Sequence, residues 1–230
     1  MSNEQFIGWI WQLLEGASIT LQLTLICLPV GMVLGMSIAL AKLSSSKIMA
    51  FFAELFTTIF RGLPELMTLL ILYYGLQMLL EKGNEYGLGD LQISSFTAGV
   101  VALSLVAAAY SSENFLAALQ SLERGQIEAA RSFGMKRLQV FFRVIIPQVL
   151  RIALPGLSNN CTNILKDTSL VSIIALEDLM RKSYLASGNT KQPIIFYACT
   201  CLIYLAMSGV LLAIFSKAER HFSRGVIRHV

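Results

Sequence analysis

Apolar positions along this chain gather into runs too long and too continuous for the half-buried faces of a water-soluble fold. One run covers about 17–41 with no formal charge. A second, about 48–80, is interrupted by Glu54 and by Arg61-Gly-Leu-Pro-Glu65. A third, about 96–119, carries Glu113, a fourth, about 152–176, carries the neighbours Lys166 and Asp167, and a fifth, about 194–215, carries no charge. Crossing lipid takes roughly 20 mostly apolar residues wound as a helix, because hydrocarbon offers no partner to free backbone groups. The pattern predicts an all-α, polytopic membrane helical bundle of five transmembrane helices. No internal repeat, low-complexity tract or Pro/Gly/Ser linker divides it, so residues 1–230 read as a single transmembrane domain.

Composition supports that reading, with 55% hydrophobic and 14% charged residues and a mean hydropathy of +0.65. Cys27, Cys161, Cys199 and Cys201 lie in apolar stretches without metal-ligand spacing and read as small buried hydrophobes. Glu4 and Glu15, with no Lys or Arg before the first apolar run, argue against a secretory signal peptide. Loop charge sets an orientation. Lys42 and Lys47, then Arg124, Arg131, Lys136, Arg137 and Arg143, then Lys217, Arg220, Arg224 and Arg228 all fall on one side of a five-span chain. The other side holds Glu4, Glu15, Glu81, Glu85, Asp90, Glu177 and Asp178 against Lys82, Arg181, Lys182 and Lys191. The positive-inside rule then predicts an outside N-terminus and a cytoplasmic C-terminus.

The loop at 120–143 is long for a helical bundle and has helical character. In Gln126-Ile-Glu-Ala-Ala-Arg-Ser-Phe-Gly134, the residues Ile127, Ala130 and Phe133 fall on roughly one face, and Gly134 stands where a left-handed helix stop belongs. Adjacent alanines leave room for another protein's backbone. A basic amphipathic loop lying on lipid head groups fits the same residues.

The order of residues carries more. Glu128-Ala129-Ala130, Gly134 four positions on, and Val144-Ile145-Ile146-Pro147 resemble the EAA motif of ATP-binding-cassette importer permeases. Two apolar positions of that motif depart conservatively. Phe60-Arg-Gly-Leu-Pro-Glu65, Ala153-Leu-Pro-Gly-Leu-Ser-Asn159 and Leu165-Lys-Asp-Thr-Ser-Leu-Val-Ser172 resemble segments of polar amino acid permeases, and the chain is most similar to subunits importing histidine, arginine, lysine or ornithine. The resemblance implies the type I importer permease fold, with Glu128, Ala129, Ala130 and Gly134 in a coupling helix seated on a cytoplasmic ATPase. It further implies two ATPase subunits, a second permease subunit (a paralogue in preference to a copy), an extracytoplasmic solute-binding protein and a place in the bacterial inner membrane. Nothing suggests a nucleic-acid partner. The chain has no G-x-x-x-x-G-K-S/T phosphate loop, so ATP and magnesium are expected on the partner ATPase, and no cofactor or metal is expected here.

Charges inside a span cost about 2.5–3.5 kcal/mol each at the helix centre on insertion scales, so each needs a reason. Glu65 follows Pro64, whose missing N–H frees a carbonyl near residue 60 and makes the site polar and irregular. Two roles are open to it: contact with a cationic solute, or neutralisation of Arg61 one turn back. The resemblance favours the first, since relatives taking basic amino acids carry an acid there, and points to arginine, histidine, lysine, ornithine or a derivative such as an opine. Arg61, Asn160 and Asn163 join Glu65 as candidate substrate-binding residues. Lys166 and Asp167, about 100° apart on a helix, cannot face each other, so each needs another partner; their place in the resembled family motif implies structural pairing within the bundle in preference to substrate contact. Glu113 sits where its side chain can reach water. The Gly31-x-x-x-Gly35 spacing permits close helix approach. An ion-gradient-driven secondary transporter is the rival reading, disfavoured by the missing repeat, and no catalytic motif suggests an enzyme.

Overall fold

The computed structural model describes residues 3–85 and 93–222. Asp90, Arg224 and Arg228, counted above in the charge balance, lie outside them.

Helix α1 (Asn3–Lys42) runs well beyond its apolar stretch and keeps Pro29 in its interior. After a short turn, Ser46 caps α2 (Lys47–Gly62), its hydroxyl accepting from the Met49 amide at 3.4 Å. The second apolar run is not one helix. Leu63 is extended at φ −93°, ψ 144°, the backbone that a following proline imposes. Pro64 restarts the chain as α3 (Glu65–Glu85), bent by 110° from α2. Helix α4 (Ser95–Gln120) is capped by Ser94.

Among the described residues, four helical stretches are long and apolar enough to cross a membrane, or five if the bent α2–α3 pair forms one span. The fourth expected run lies in a continuous helical stretch, Arg137–Ile174. It comprises α6 (Arg137–Val140), a π-helical turn (Phe141–Ile145), α7 (Ile146–Asp167) and a 3₁₀ segment (Thr168–Ile174). The π turn has a local cause. The Pro147 ring would crowd the carbonyl four residues back, and a wider turn, with the Ile146 amide on the Phe141 carbonyl, makes room. Helix α8 (Leu179–Thr190) and α9 (Pro193–Phe222) complete the bundle.

Helices α1 and α4 form its closest seam. A Cβ on Gly31 would lie 2.5 Å from the Ala107 Cβ, and one on Gly35 would lie 2.8 Å from the Ser111 Cβ, so this glycine pair serves packing within one chain. Three apolar clusters follow along α1: Leu13, Ala17, Leu179 and Phe196 at its start, Leu23, Cys27, Ala107 and Val171 further on, and Ala39, Phe115, Val149 and Leu157 at its end. Among the cysteines, Cys27 and Cys161 are buried as expected, Cys199 is half-buried, and Cys201 is exposed on α9.

Asp178, counted from the sequence as an outer-loop acid, is fully buried. Its carboxylate caps α8, accepting from the Met180 amide at 3.2 Å and the Arg181 amide at 3.0 Å. Burial raises its pKa to about 6 despite those bonds.

Candidate functional site

A cavity of about 170 Å³ lies where α3, α4 and α7 meet. It is lined by Glu65, Val106, Ala107, Tyr110, Asn160, Asn163, Ile164 and Asp167. Each polar member arrives by simple helical logic. The Pro64 break makes Glu65 the first residue of α3, where a carboxylate suits the positive end of the helix dipole. Asn160, Asn163 and Asp167 recur every three to four residues on α7 and so share one face. Of the candidates singled out from the sequence, Glu65, Asn160 and Asn163 face this space, and Asp167 joins them. The Asn160 amide nitrogen Nδ2 is buried with no hydrogen-bond partner, an unsatisfied donor of the kind native interiors rarely leave.

Lys166 and Asp167 form no ion pair among the described residues. Lys166 is exposed on the subunit surface while Asp167 turns inward toward the cavity, so neither makes the pairing expected within the bundle among the described residues. With no cation among the lining residues, two carboxylates give the cavity a negative character.

Arg61 is not a lining residue. Its Nη1 lies 3.5 Å from the Glu113 Oε1, and its guanidinium sits over the Tyr110 ring, 5.6 Å from the centroid. The Arg61–Glu65 neutralisation is therefore not what the structure shows. Glu113, expected to reach water, instead accepts from the Lys42 Nζ at 2.5 Å. Lys42 also reaches the Glu54 Oε2 at 2.8 Å, with its side chain only 5% exposed. Lys42 was expected to be a loop cation; it closes α1 and bridges α2 to α4. Tyr110 was missed by the sequence reading. Its hydroxyl donates to the Glu65 Oε1 at 3.4 Å, and its spacing from Glu113, three residues on one helix, was the available signal.

At the end of the bundle where α4 finishes, α5 (Arg124–Ser132) is the short helix anticipated in the loop. It ends in a two-bond stop: the Met135 amide donates to the Ala130 carbonyl at 3.3 Å and the Gly134 amide to the Arg131 carbonyl at 2.9 Å. Gly134 takes φ +76°. The apolar face differs from expectation. Ala130 is buried and Ile127 half-buried, but Phe133 stands 88% exposed. Of the two alanines only Ala129 faces outward beside Glu128.

A helical bundle with a broken span beside a polar, carboxylate-lined cavity, and a short exposed helix at one end, is built as a membrane transport component. The chain belongs to the family of binding-protein-dependent transport system inner membrane components, whose model matches residues 31–226. It is 37% identical to the histidine/lysine/arginine/ornithine transport system permease protein HisQ of Escherichia coli, over 96% of this chain and 97% of that protein. It is 38% identical to the nopaline transport system permease protein NocQ of Agrobacterium fabrum, over 95% and 94%. Among solved structures, a chain of an amino acid ABC transporter crystallised with histidines matches at a TM-score of 0.79 and 32% identity, covering 96% of this chain and 99% of that one. An inward-facing MetNI methionine ABC transporter chain matches in fold at a TM-score of 0.77 and 18% identity, covering 97% and 100%. The fold is that of a type I ABC importer permease, and the protein is a transport subunit of the inner membrane rather than an enzyme. An ion-gradient-driven carrier finds no support in these likenesses.

Proposed function

We propose that this subunit forms half of the translocation pathway for a basic amino acid or a derivative of one, driven by ATP hydrolysis on partner subunits. The observation that carries the reading is the convergence of Glu65 and Asp167 on one cavity with the unpartnered Asn160 amide. Two carboxylates favour a guanidinium or ammonium, and the amide offers a directed donor. At about 170 Å³ the cavity is smaller than typical pockets for whole small molecules, about 300–1,000 Å³. It suits a cationic side chain, with the rest of the solute held by a second permease subunit. Relatives named for histidine, lysine, arginine and ornithine or for nopaline support a cationic solute.

In this reading α5 is the coupling helix. Glu128, Ala129, Ala130 and Gly134 shape it, and the projecting Phe133 ring enters a groove of the ATPase. Two ATPases, which hold ATP and magnesium, a paralogous second permease and an extracytoplasmic binding protein complete the assembly. Loop charge supports an outside N-terminus and a cytoplasmic α5. All of residues 1–230 then serve as one transmembrane domain.

The test is uptake of labelled arginine into proteoliposomes holding the whole complex, ATPase and binding protein included. Glu65→Gln should lower it about tenfold or more, the cost of one strong charged contact. Unchanged arginine uptake by a normally assembled Glu65→Gln complex would overturn the assignment of the cavity.

A further inference from the structure

The break between α2 and α3 is tied to α4 from both sides. On the α2 side, Arg61 in the last turn meets Glu113 at 3.5 Å and covers the Tyr110 ring. On the α3 side, Glu65 in the first turn accepts from Tyr110 at 3.4 Å. Tyr110 and Glu113 are three residues apart on α4, hence neighbours on one face. Glu113 is itself held by Lys42 at the end of α1, which also holds Glu54 of α2. A continuous line of polar contacts thus runs from the cavity to the far end of α1, through the two residues that bracket a 110° bend. Apolar packing adds little at this elbow: Leu63 and Pro64, within the bend, and Ile59, just before it, are exposed.

We infer that Glu113 is a positioning residue for transport: with Tyr110 it clamps the α2–α3 elbow, so that the elbow changes angle only when a cation in the cavity takes over Glu65. This rests on the cationic-solute reading given above. A cation beside Glu65 competes with the Tyr110 hydroxyl for the same oxygen, freeing the α3 side of the clamp, while Arg61 and Lys42 keep the α2 side on Glu113. Glu113 touches no solute. Its removal leaves the cavity intact but frees the elbow from the cavity's state.

The test uses the whole complex in proteoliposomes, with spin labels at the exposed positions Ile48 on α2 and Met78 on α3, and compares wild type with Glu113→Gln. Wild type should show a label distance that shifts when arginine and its binding protein are added. Glu113→Gln should show a broad distribution indifferent to arginine. It should also transport at least about fivefold less arginine per ATP hydrolysed, the lower end of usual coupling strengths, with the KM for arginine nearly unchanged. Glu113→Asp, which keeps the charge, should recover most of the coupling. If the Glu113→Gln subunit does not accumulate, Arg61→Gln releases the α2 side of the clamp and should give the same uncoupling. Wild-type distances together with a wild-type transport ratio in the variant that assembles would overturn the clamp. Failure of wild type to import arginine would instead overturn the cationic-solute reading.

Discussion

Helix α1 meets α4 and the α2–α3 arm in two contrasting ways. Against α4 it packs by shape, with Gly31 and Gly35 letting backbones touch Ala107 and Ser111. The arm is fastened differently along its length: ion pairs of Lys42 with Glu54 and of Arg61 with Glu113 pin α2, whereas α3 packs Leu69, Leu70 and Tyr73 onto an apolar cluster with α4, and much of the arm's surface is exposed. Within a membrane, lipid tails are as apolar as leucine, so only close packing or polar contacts fasten helices together. Shape gives a seam with one arrangement, whereas ion pairs can exchange partners. The chain therefore keeps its fixed frame at the α1–α4 seam and its adjustable part at the α2 end of the arm.

The contrast can be broken at its strong side first. Gly31→Leu places a full side chain where even a Cβ is too close, and overpacking of this kind costs typically about 1–3 kcal/mol. With backbone as well as the Ala107 Cβ in the way, the effect should reach the top of that range and show as a sharp fall in membrane-integrated, heat-resistant subunit. Lys42→Met tests the charged side. Glu113 is about a third exposed and retains Arg61, so the loss should be nearer 1.5 kcal/mol, within the usual value of a hydrogen bond to a charged group, and read as a lower melting temperature of the purified complex. Lys42→Arg should restore most of it.

Asp167→Asn sharpens the comparison at the cavity, where it should raise the KM for arginine about tenfold by removing one charged contact while leaving thermal stability within error. The smallest effect belongs to Asp178, whose backbone abuts Gly16 in the first half of α1. Its folded pKa of about 6 is above the ordinary value near 3.8. The native state thus holds this proton more tightly than the unfolded state, and stability from this group declines as pH rises from about 4 to 6. Asp178→Asn keeps a capping oxygen and should flatten that slope in melts taken between those pH values.

Features set by neighbours in the chain were legible beforehand. Pro64 announced the break, Gly134 announced the end of α5, and the apolar runs marked where long helices would form. Features set by distant partners were not legible. Lys42 and Glu113 are 71 residues apart, and nothing local distinguishes a part-buried ion pair from a loop cation and a wetted acid. Arg61 and Glu65 are near in sequence, but the bend turns them from each other onto α4, where both meet Tyr110 and Arg61 also meets Glu113. The place of Asp167 in the family motif implies a structural partner elsewhere in the bundle, and only the meeting of α3, α4 and α7 turns it toward the cavity instead.

The Phe133 ring, 88% exposed, and the neighbouring Leu138, 72% exposed, have a consequence for supply within the cell. Both are apolar side chains that water disfavours until another polypeptide covers them. Copies of the subunit made in excess of their ATPase carry an uncovered greasy tag at the end of the bundle, of the kind that chaperones and proteases recognise. The same ring proposed to anchor the motor would then cap the number of permeases that persist without one.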